Sequence, residues 1–391
     1  MIVKHAEVYG ADGKFHMGDV GIRDGVFIKA DEADGAVYDG AGCYAVPGLI
    51  DLHFHGAMGY DVCDATAEAY KEIARYEASV GVTGICPATL TLPVEVLEEV
   101  LKLGAAYARE HGERESVSGK DETISADLVG FNMEGPFISH KKKGAQNEKY
   151  IIPCDEEVFR RFYTASEGLL KFVGLAPEEN PGFADFIRAV KGMAKVSLAH
   201  TNADYDTAMR AFHAGASHVV HLYDAMTPFT HREPGILGAA ADSEGVTAEL
   251  ICDGIHVHPA AVRMAFKLLG KERIVFISDS LRCTGMPDGI YKLGGQSTQK
   301  DGKYCRLCDS GNIAGSVSNL YDCMKNAVQT MDIPLEDAIY CATASPAKCL
   351  GIYDRYGSIE NGKVGDLLLI DKKDLSLKAV FKRGRCVSDF T

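Results

Sequence analysis

The chain lacks any apolar run of the roughly 18 residues that a membrane span requires, and its opening stretch, MIVKHAEVYGADGKF, has no apolar core of signal-peptide length. Both absences lead us to expect a cytoplasmic protein with no membrane partner. Positive charge is short as well. The 41 basic residues against 55 acidic ones leave a formal charge of −14, which disfavours a nucleic acid as the main partner. An anionic small molecule then needs local basic groups working against the overall field. No internal repeat or low-complexity tract is visible, and the charge run Lys141 to Lys143 reads as a solvated loop. The 12 cysteines are scattered, several of them inside apolar runs, as Cys86 and Cys252 are, where a free thiol behaves as a small hydrophobe. The one Cys-x-x-Cys, Cys305 to Cys308, has no second pair at zinc-finger spacing and lies in a Gly/Asp-rich, hairpin-like stretch.

What is present is a long chain, 391 residues with 46% apolar content, in which short β-rich apolar runs alternate with helical stretches. That alternation is the mark of a parallel α/β architecture. The runs are 49–56, 81–90, 127–136, 170–178, 194–203, 217–226, 246–257 and 273–280, and eight of them suggest a closed barrel. Helices are expected over 66–81, 93–111, 156–168, 182–193, 205–215, 259–269 and 318–331. The outer segments instead read as short strands punctuated by Gly and Asp, as in IRDGVFIKADEADGAV and GSIENGKVGDLLLIDKKD. We therefore expect a (β/α)8 TIM-like barrel over 49–351 and a small β-sandwich built from 1–48 and 352–391 together.

A TIM barrel carries its chemistry at the C-terminal ends of its strands. Those ends hold His53 and His55, then Glu134, His200, His221, His256 just past the seventh run, and Asp279. Six of eight ends bearing metal-capable or acid–base residues, in a chain with only 13 histidines, point to a metallohydrolase. If 49–55 is extended, His53 and His55 project from one face and can share an ion. A divalent metal lowers the pKa of bound water toward about 7 and stabilises a developing oxyanion, which is what hydrolysis needs. Asp279 is then placed to take the proton and return it to the leaving group, although Asp in Ser-Asp-Ser also commonly caps a helix. Arg232, in the turn-rich HREPG, suits a phosphate and equally a salt bridge to Glu233. Ala314-Gly315-Ser316 reads as a helix start, offering either backbone N–H groups to an anion or a Ser316 cap. The fourth run ends in Leu175-Ala-Pro177 without a lysine, which argues against a carbamylated-lysine metal bridge.

The segments PGLIDLHFHG, NMEGPFIS with KKKGAQN, GLAPE, AHTNA, HLYDAM, REPGILG, DGIHVHP, ISDS, AGS and TASPA resemble, in order and over nearly the whole chain, the N-acetylglucosamine-6-phosphate deacetylases of the amidohydrolase superfamily. The resemblance implies a barrel flanked by a β-sandwich, assembled as a homodimer, that hydrolyses the acetamide of N-acetylglucosamine 6-phosphate to glucosamine 6-phosphate and acetate in amino sugar metabolism. It implies that Glu134, His200 and His221 hold the principal metal, most readily zinc with iron as the alternative, and that His53 and His55 permit a second ion. Asp279 becomes the general acid–base, and His256 binds substrate and helps polarise the acetyl carbonyl. Ala225 meets phosphate through its amide, and Arg232 meets it from the neighbouring subunit. Three positions depart from the family pattern: Asp224 for Asn, Gln146 for His, and Asn132 for His. Asp224 lies among the substrate contacts, where a carboxylate repels a phosphate unless it turns away. A related N-acetylhexosamine phosphate, an unphosphorylated N-acetyl sugar, a ring deaminase reaction and a non-catalytic sugar-phosphate-binding role are the rival readings.

Overall fold

A computed structural model of the chain describes residues 1–114 and 124–389. Its centre is a ring of eight parallel strands: β1 (Leu49–Asp51), β2 (Val82–Ile85, resumed at Ala88–Thr89), β3 (Asp127–Leu128, resumed at Phe131–Met133), β4 (Leu170–Leu175), β5 (Lys195–Leu198), β6 (His218–Val219), β7 (Thr247–Ile251) and β8 (Ile274–Ile277). One sheet joins β1, β2 and the first part of β3, and a second runs from the later parts of β2 and β3 round to β8. Backbone bonds close the ring, with the Asp279 N–H donating to His53 O (2.9 Å) and the His55 N–H to Ser280 O (2.8 Å). Such strands are buried on both faces, which is why they read as continuous apolar runs.

Each strand is followed by a helix that covers the ring: α1 (Ala67–Ser79), α2 (Val94–Arg114), α3 (Glu156–Ala165), α4 (Phe183–Val190), α5 (Tyr205–Ala214), α6 (Gly235–Asp242), α7 (Pro259–Leu269) and α8 (Leu320–Met331). The starts of α1, α3, α5 and α8 are fixed by Thr66, Asp155, Asp204 and Asn319, whose side chains accept backbone N–H groups of the first turn. α4 shows how the pattern works, burying Phe183, Phe186, Ile187 and Val190 on one face. Two further helices, Leu335–Ala342 and Ala344–Leu350, come after α8. Ala347 and Leu350 of the second pack with Ile50, Phe172, Ile251 and Val275 of the barrel strands in one cluster. Among the described residues no helix is long and apolar enough to cross a membrane.

Sequence reasoning missed α6. GILGAAAD is short and rich in Gly and Ala, and neither Pro234 nor any other side chain caps it. Packing forms it instead, with Ile236, Leu237, Ala239 and Ala240 buried in the main core. Leu335–Ala342 and Ala344–Leu350 were likewise not expected. Ser316 does not begin a helix: α8 starts four residues later, and the Ser316 N–H is spent on Asp279 O (2.7 Å). The first apolar run also ceases to be a strand at Asp51, so His53 and His55 occupy the bend beyond it.

Both ends of the chain build one eight-stranded sheet, in which Cys43–Pro47 pairs in parallel with Ile2–Tyr9 and antiparallel with Leu367–Asp371. Its core takes Val3, Ile22, Phe27 and Ala45 from one end and Leu367, Leu369 and Phe381 from the other. A buried ion cluster ties this sheet to the barrel: Lys382 Nζ donates to Asp127 Oδ2 at the start of β3 (2.6 Å) and to Asp366 Oδ2 (2.9 Å), and the Tyr356 hydroxyl donates to Asp127 Oδ2 (2.8 Å). Lys382 is 1% exposed, so Lys382→Met leaves the buried Asp366 without its cation and Asp127 with Arg383 alone (3.2 Å). A loss of about 3–5 kcal/mol in denaturant melts is expected, and a change under about 1 kcal/mol rejects the role. After β8 comes a three-stranded antiparallel insert, Gly289–Leu293, Gln296–Asp301 and Tyr304–Leu307. Within it Cys305 is buried with its sulphur 3.8 Å from that of Cys283, whereas Cys308 is exposed.

Candidate metal centre and active site

Glu134 follows β3 directly, and its carboxylate is the point on which four histidines converge. Nε2 of His200 and His221 lie 2.8 and 2.9 Å from Glu134 Oε1, and 3.2 Å from each other. His53 Nε2 is 3.5 Å from the same oxygen, and His55 Nε2 is 3.5 Å from Oε2. Two donor groups result, His53–His55–Glu134 and Glu134–His200–His221, sharing the glutamate, and all five side chains are buried.

The opposite ring nitrogens explain the orientation. Nδ1 of His55, His200 and His221 faces a backbone carbonyl, of Ala88 (3.1 Å), Lys142 (2.8 Å) and Asp224 (3.2 Å). His53 Nδ1 instead faces the carboxylate of Glu249 (2.8 Å). Carbonyls and carboxylates only accept, so each Nδ1 carries a proton and each Nε2 can present a lone pair to the cavity. Lone pairs and a carboxylate gathered at these separations repel unless a cation lies among them. Ligands about 2.1 Å from a tetrahedral zinc stand about 3.4 Å apart, close to the spacings seen. His53 Nε2 in particular is buried and has no hydrogen-bond partner. The residues fit a divalent metal.

The electrostatics agree. Burial alone raises a carboxylate, yet the charges of and hydrogen bonds from His200 and His221 hold Glu134 well below the usual range. Burial opposes protonation of His221, but Glu134 outweighs it and pushes the imidazole up to about 9. Acid and base both report a centre that favours positive charge.

Asp279 stands two residues past β8 with φ +50°, its Oδ1 3.3 Å from His55 Nε2 and 3.9 Å from His53 Nε2. It does not cap a helix. Burial is overcome by His55 and the other imidazoles, so the group is held below its ordinary range. His200, His221, Tyr223 and Ala225 also have positive φ, strain of the kind that accumulates where backbone aims side chains at a functional cavity. His256 lines the cavity with Nδ1 held by Asp253 Oδ2 (2.8 Å). Gln146 is fixed by the Thr91 N–H (2.7 Å) and donates to Glu134 Oε2. Asp224 and Ala225 line the same cavity. Burial raises Asp224 to about 6, and its Oδ2 has no partner among the described residues.

Two positions lie elsewhere. Asn132 is fully buried behind His53 and bonds Leu52 O and Glu249 Oε1 (both 3.1 Å). Arg232 is exposed on its loop, makes no ion pair with Glu233, and is not among the residues lining the cavity of a single chain. Among the described residues no lysine or arginine lines that cavity. Sequence reasoning missed the wall supplied by Leu293 of the insert and by Leu281, Asn312 and Ile313 on either side of it, none of which carries a chemical signature. It also missed Glu249, although a glutamate inside the apolar run TAELI is a usable signal.

The amidohydrolase family model matches residues 44–387. The chain is 38% identical over 326 residues to the N-acetylglucosamine-6-phosphate deacetylase of Bacillus subtilis (strain 168), which covers 83% of this chain and 80% of that protein. It is 32% identical over 368 residues to the N-acetylgalactosamine-6-phosphate deacetylase of Escherichia coli O157:H7, covering 94% of each. Among solved structures, a mutant N-acetyl-D-glucosamine-6-phosphate deacetylase from Mycobacterium smegmatis, in complex with N-acetyl-D-glucosamine-6-phosphate, superposes with a TM-score of 0.89 at 27% identity, over 99% of both chains.

Proposed function

Since the chain belongs to the amidohydrolase family and is a metal-dependent hydrolase, we propose that it removes the acetyl group of N-acetylglucosamine 6-phosphate, releasing glucosamine 6-phosphate and acetate. The observation that carries the reading is the convergence of four imidazole Nε2 atoms on Glu134, with Asp279 beside them at the cavity.

We read Glu134, His200 and His221 as holding the principal ion, and His53, His55 and Glu134 as holding a second, with zinc the metal best suited and iron the alternative. A divalent ion there makes water a competent nucleophile at neutral pH and neutralises charge that develops on the acetyl oxygen. Asp279 is the proton carrier. Its carboxylate, kept ionised by His55, accepts the proton of the attacking water and then delivers it to the departing amine, which would otherwise leave as an unstable anion. His256, oriented by Asp253, offers its other ring nitrogen to the substrate and assists in polarising the carbonyl. All of this chemistry belongs to the barrel, 49–351, with 1–48 and 352–391 as the accessory unit.

A guanidinium grips a phosphate well, and among the described residues no lysine or arginine lines the cavity of one chain. That supports a homodimer in which Arg232 of a second copy grips the phosphate, with the Ala225 amide as its partner within the chain. Arg232→Ala is expected to raise KM for the phosphorylated substrate about tenfold or more while barely affecting the dephosphorylated analogue, and equal effects on both remove the phosphate role. Phosphorylated sugars do not cross membranes unaided, which favours a cytoplasmic site of action.

Asp224 supports a second reading. A carboxylate at this wall suits recognition of a sugar hydroxyl, and the E. coli relative is named for the galacto sugar, so N-acetylgalactosamine 6-phosphate is the competing substrate. The test is acetate release by metal-loaded protein from both sugar phosphates and from unphosphorylated N-acetylglucosamine. Preference for N-acetylglucosamine 6-phosphate supports the proposal, preference for the galacto epimer replaces the substrate, and activity on none of them discards it.

A further inference from the structure

Of the four histidines gathered on Glu134, three are held from behind by neutral carbonyls, and His53 alone by a charge. That charge is Glu249, which projects from β7 and is 0% exposed. Its carboxylate is fully engaged. Oε2 faces His53 Nδ1 (2.8 Å) and accepts the His221 N–H (2.9 Å), while Oε1 faces His218 Nε2 (3.0 Å) and accepts from Asn132 Nδ2 (3.1 Å). Four partners on two oxygens leave the group no freedom to rotate. His218 is its neutralising partner: its Nε2 donates to Glu249 Oε1, and its Nδ1 lies 2.7 Å from Thr247 Oγ1. Cys349 Sγ lies 3.7 Å from the same Nδ1, and the ring sits tilted against Phe172 at 4.8 Å, so His218 is held on every side.

We propose that Glu249 is a positioning residue for the second metal ion: it fixes the tautomer and ring plane of His53 and strengthens His53 Nε2 as a ligand, so the ion held by His53, His55 and Glu134 depends on a carboxylate that never touches it. The proposal rests on the two-ion reading above. An imidazole whose Nδ1–H is held by a carboxylate is a better donor at Nε2 than one held by a carbonyl. The two metal positions consequently differ in kind: the rings of His200 and His221 have only carbonyl support, Glu249 reaching His221 at its backbone N–H alone, and the ring of His53 leans on an anion. Asn132 belongs to this support and not to the substrate cavity.

The experiment is equilibrium loading with Co²⁺ or Zn²⁺ at buffered free metal, counting ions per chain, recording the Co²⁺ visible spectrum and melting the same samples. The wild type is expected to take two ions. Glu249→Gln should bind the second about 10–100-fold more weakly, losing one component of the Co²⁺ spectrum while the first ion stays. Glu249→Asp keeps the charge opposite His218 and so protects the fold, but shortens the reach to His53, and it should lose the second ion to a lesser degree; it carries the test if Glu249→Gln does not fold. In a His53→Asn background, Glu249→Gln should change metal affinity no further. Two ions bound with wild-type affinity by either Glu249 variant, or an additional loss in the His53→Asn background, overturns the proposal. A single ion in the wild type instead brings down the two-ion reading, and the proposal with it, and is told apart because it shows before any substitution.

Discussion

Replacing Asp279 with asparagine is expected to leave the metal in place and lower kcat by ~10²-fold or more, the range for loss of a general acid–base. The amide has the shape of the carboxylate but cannot accept a proton from water or return one to the leaving amine. The fold should not notice. What holds this segment is the Asp279 backbone, whose N–H donates to His53 O and whose carbonyl accepts the Ser316 N–H, and neither bond involves the side chain. Left-handed backbone at φ +50° is also tolerated by Asn at least as well as by Asp. Metal content and turnover must be measured on the same preparation. Near-normal kcat with metal present takes Asp279 out of the mechanism, whereas reduced kcat with metal lost makes it a ligand instead.

Glu134→Ala should have the larger effect, because the glutamate is common to both donor groups. Its removal takes one ligand from each position at once and deletes the negative charge that makes four buried imidazoles tolerable side by side. Bound metal is expected to fall below one ion per chain and turnover to the background of the metal-free protein. His221 supplies an independent sign when both proteins are stripped of metal: Glu134 lifts it to about 9, so its titration should move down toward the ordinary histidine range in the variant. A full complement of metal in Glu134→Ala rejects the shared-carboxylate arrangement.

Much of this was legible without coordinates. The eight apolar runs became eight strands, and the rule that barrel chemistry sits at strand ends found His53, His55, Glu134, His200, His221 and Asp279 together. The reasoning worked because strands buried on both faces must be apolar, so polar residues at their ends stand out. It failed where packing, not local preference, determines structure. GILGAAAD has neither cap nor polar stripe, and it is a helix because the space between α5 and α7 needs one covered by small residues. Ser316 looks like a cap in sequence, but bridging to the strand-eight loop commits its N–H to another task.

By itself the sequence determined the barrel, the sheet shared by both ends, and the identity of the metal-capable residues, because burial periodicity and residue chemistry are local properties. Tertiary structure alone decided which nitrogen each histidine presents, that Glu134 is shared, that Asn132 serves Glu249 and not the substrate, and that Arg232 stands apart from its own chain's cavity. Those outcomes depend on contacts between residues as far apart in the chain as His53 and Glu249, and such contacts exist only once the ring has closed.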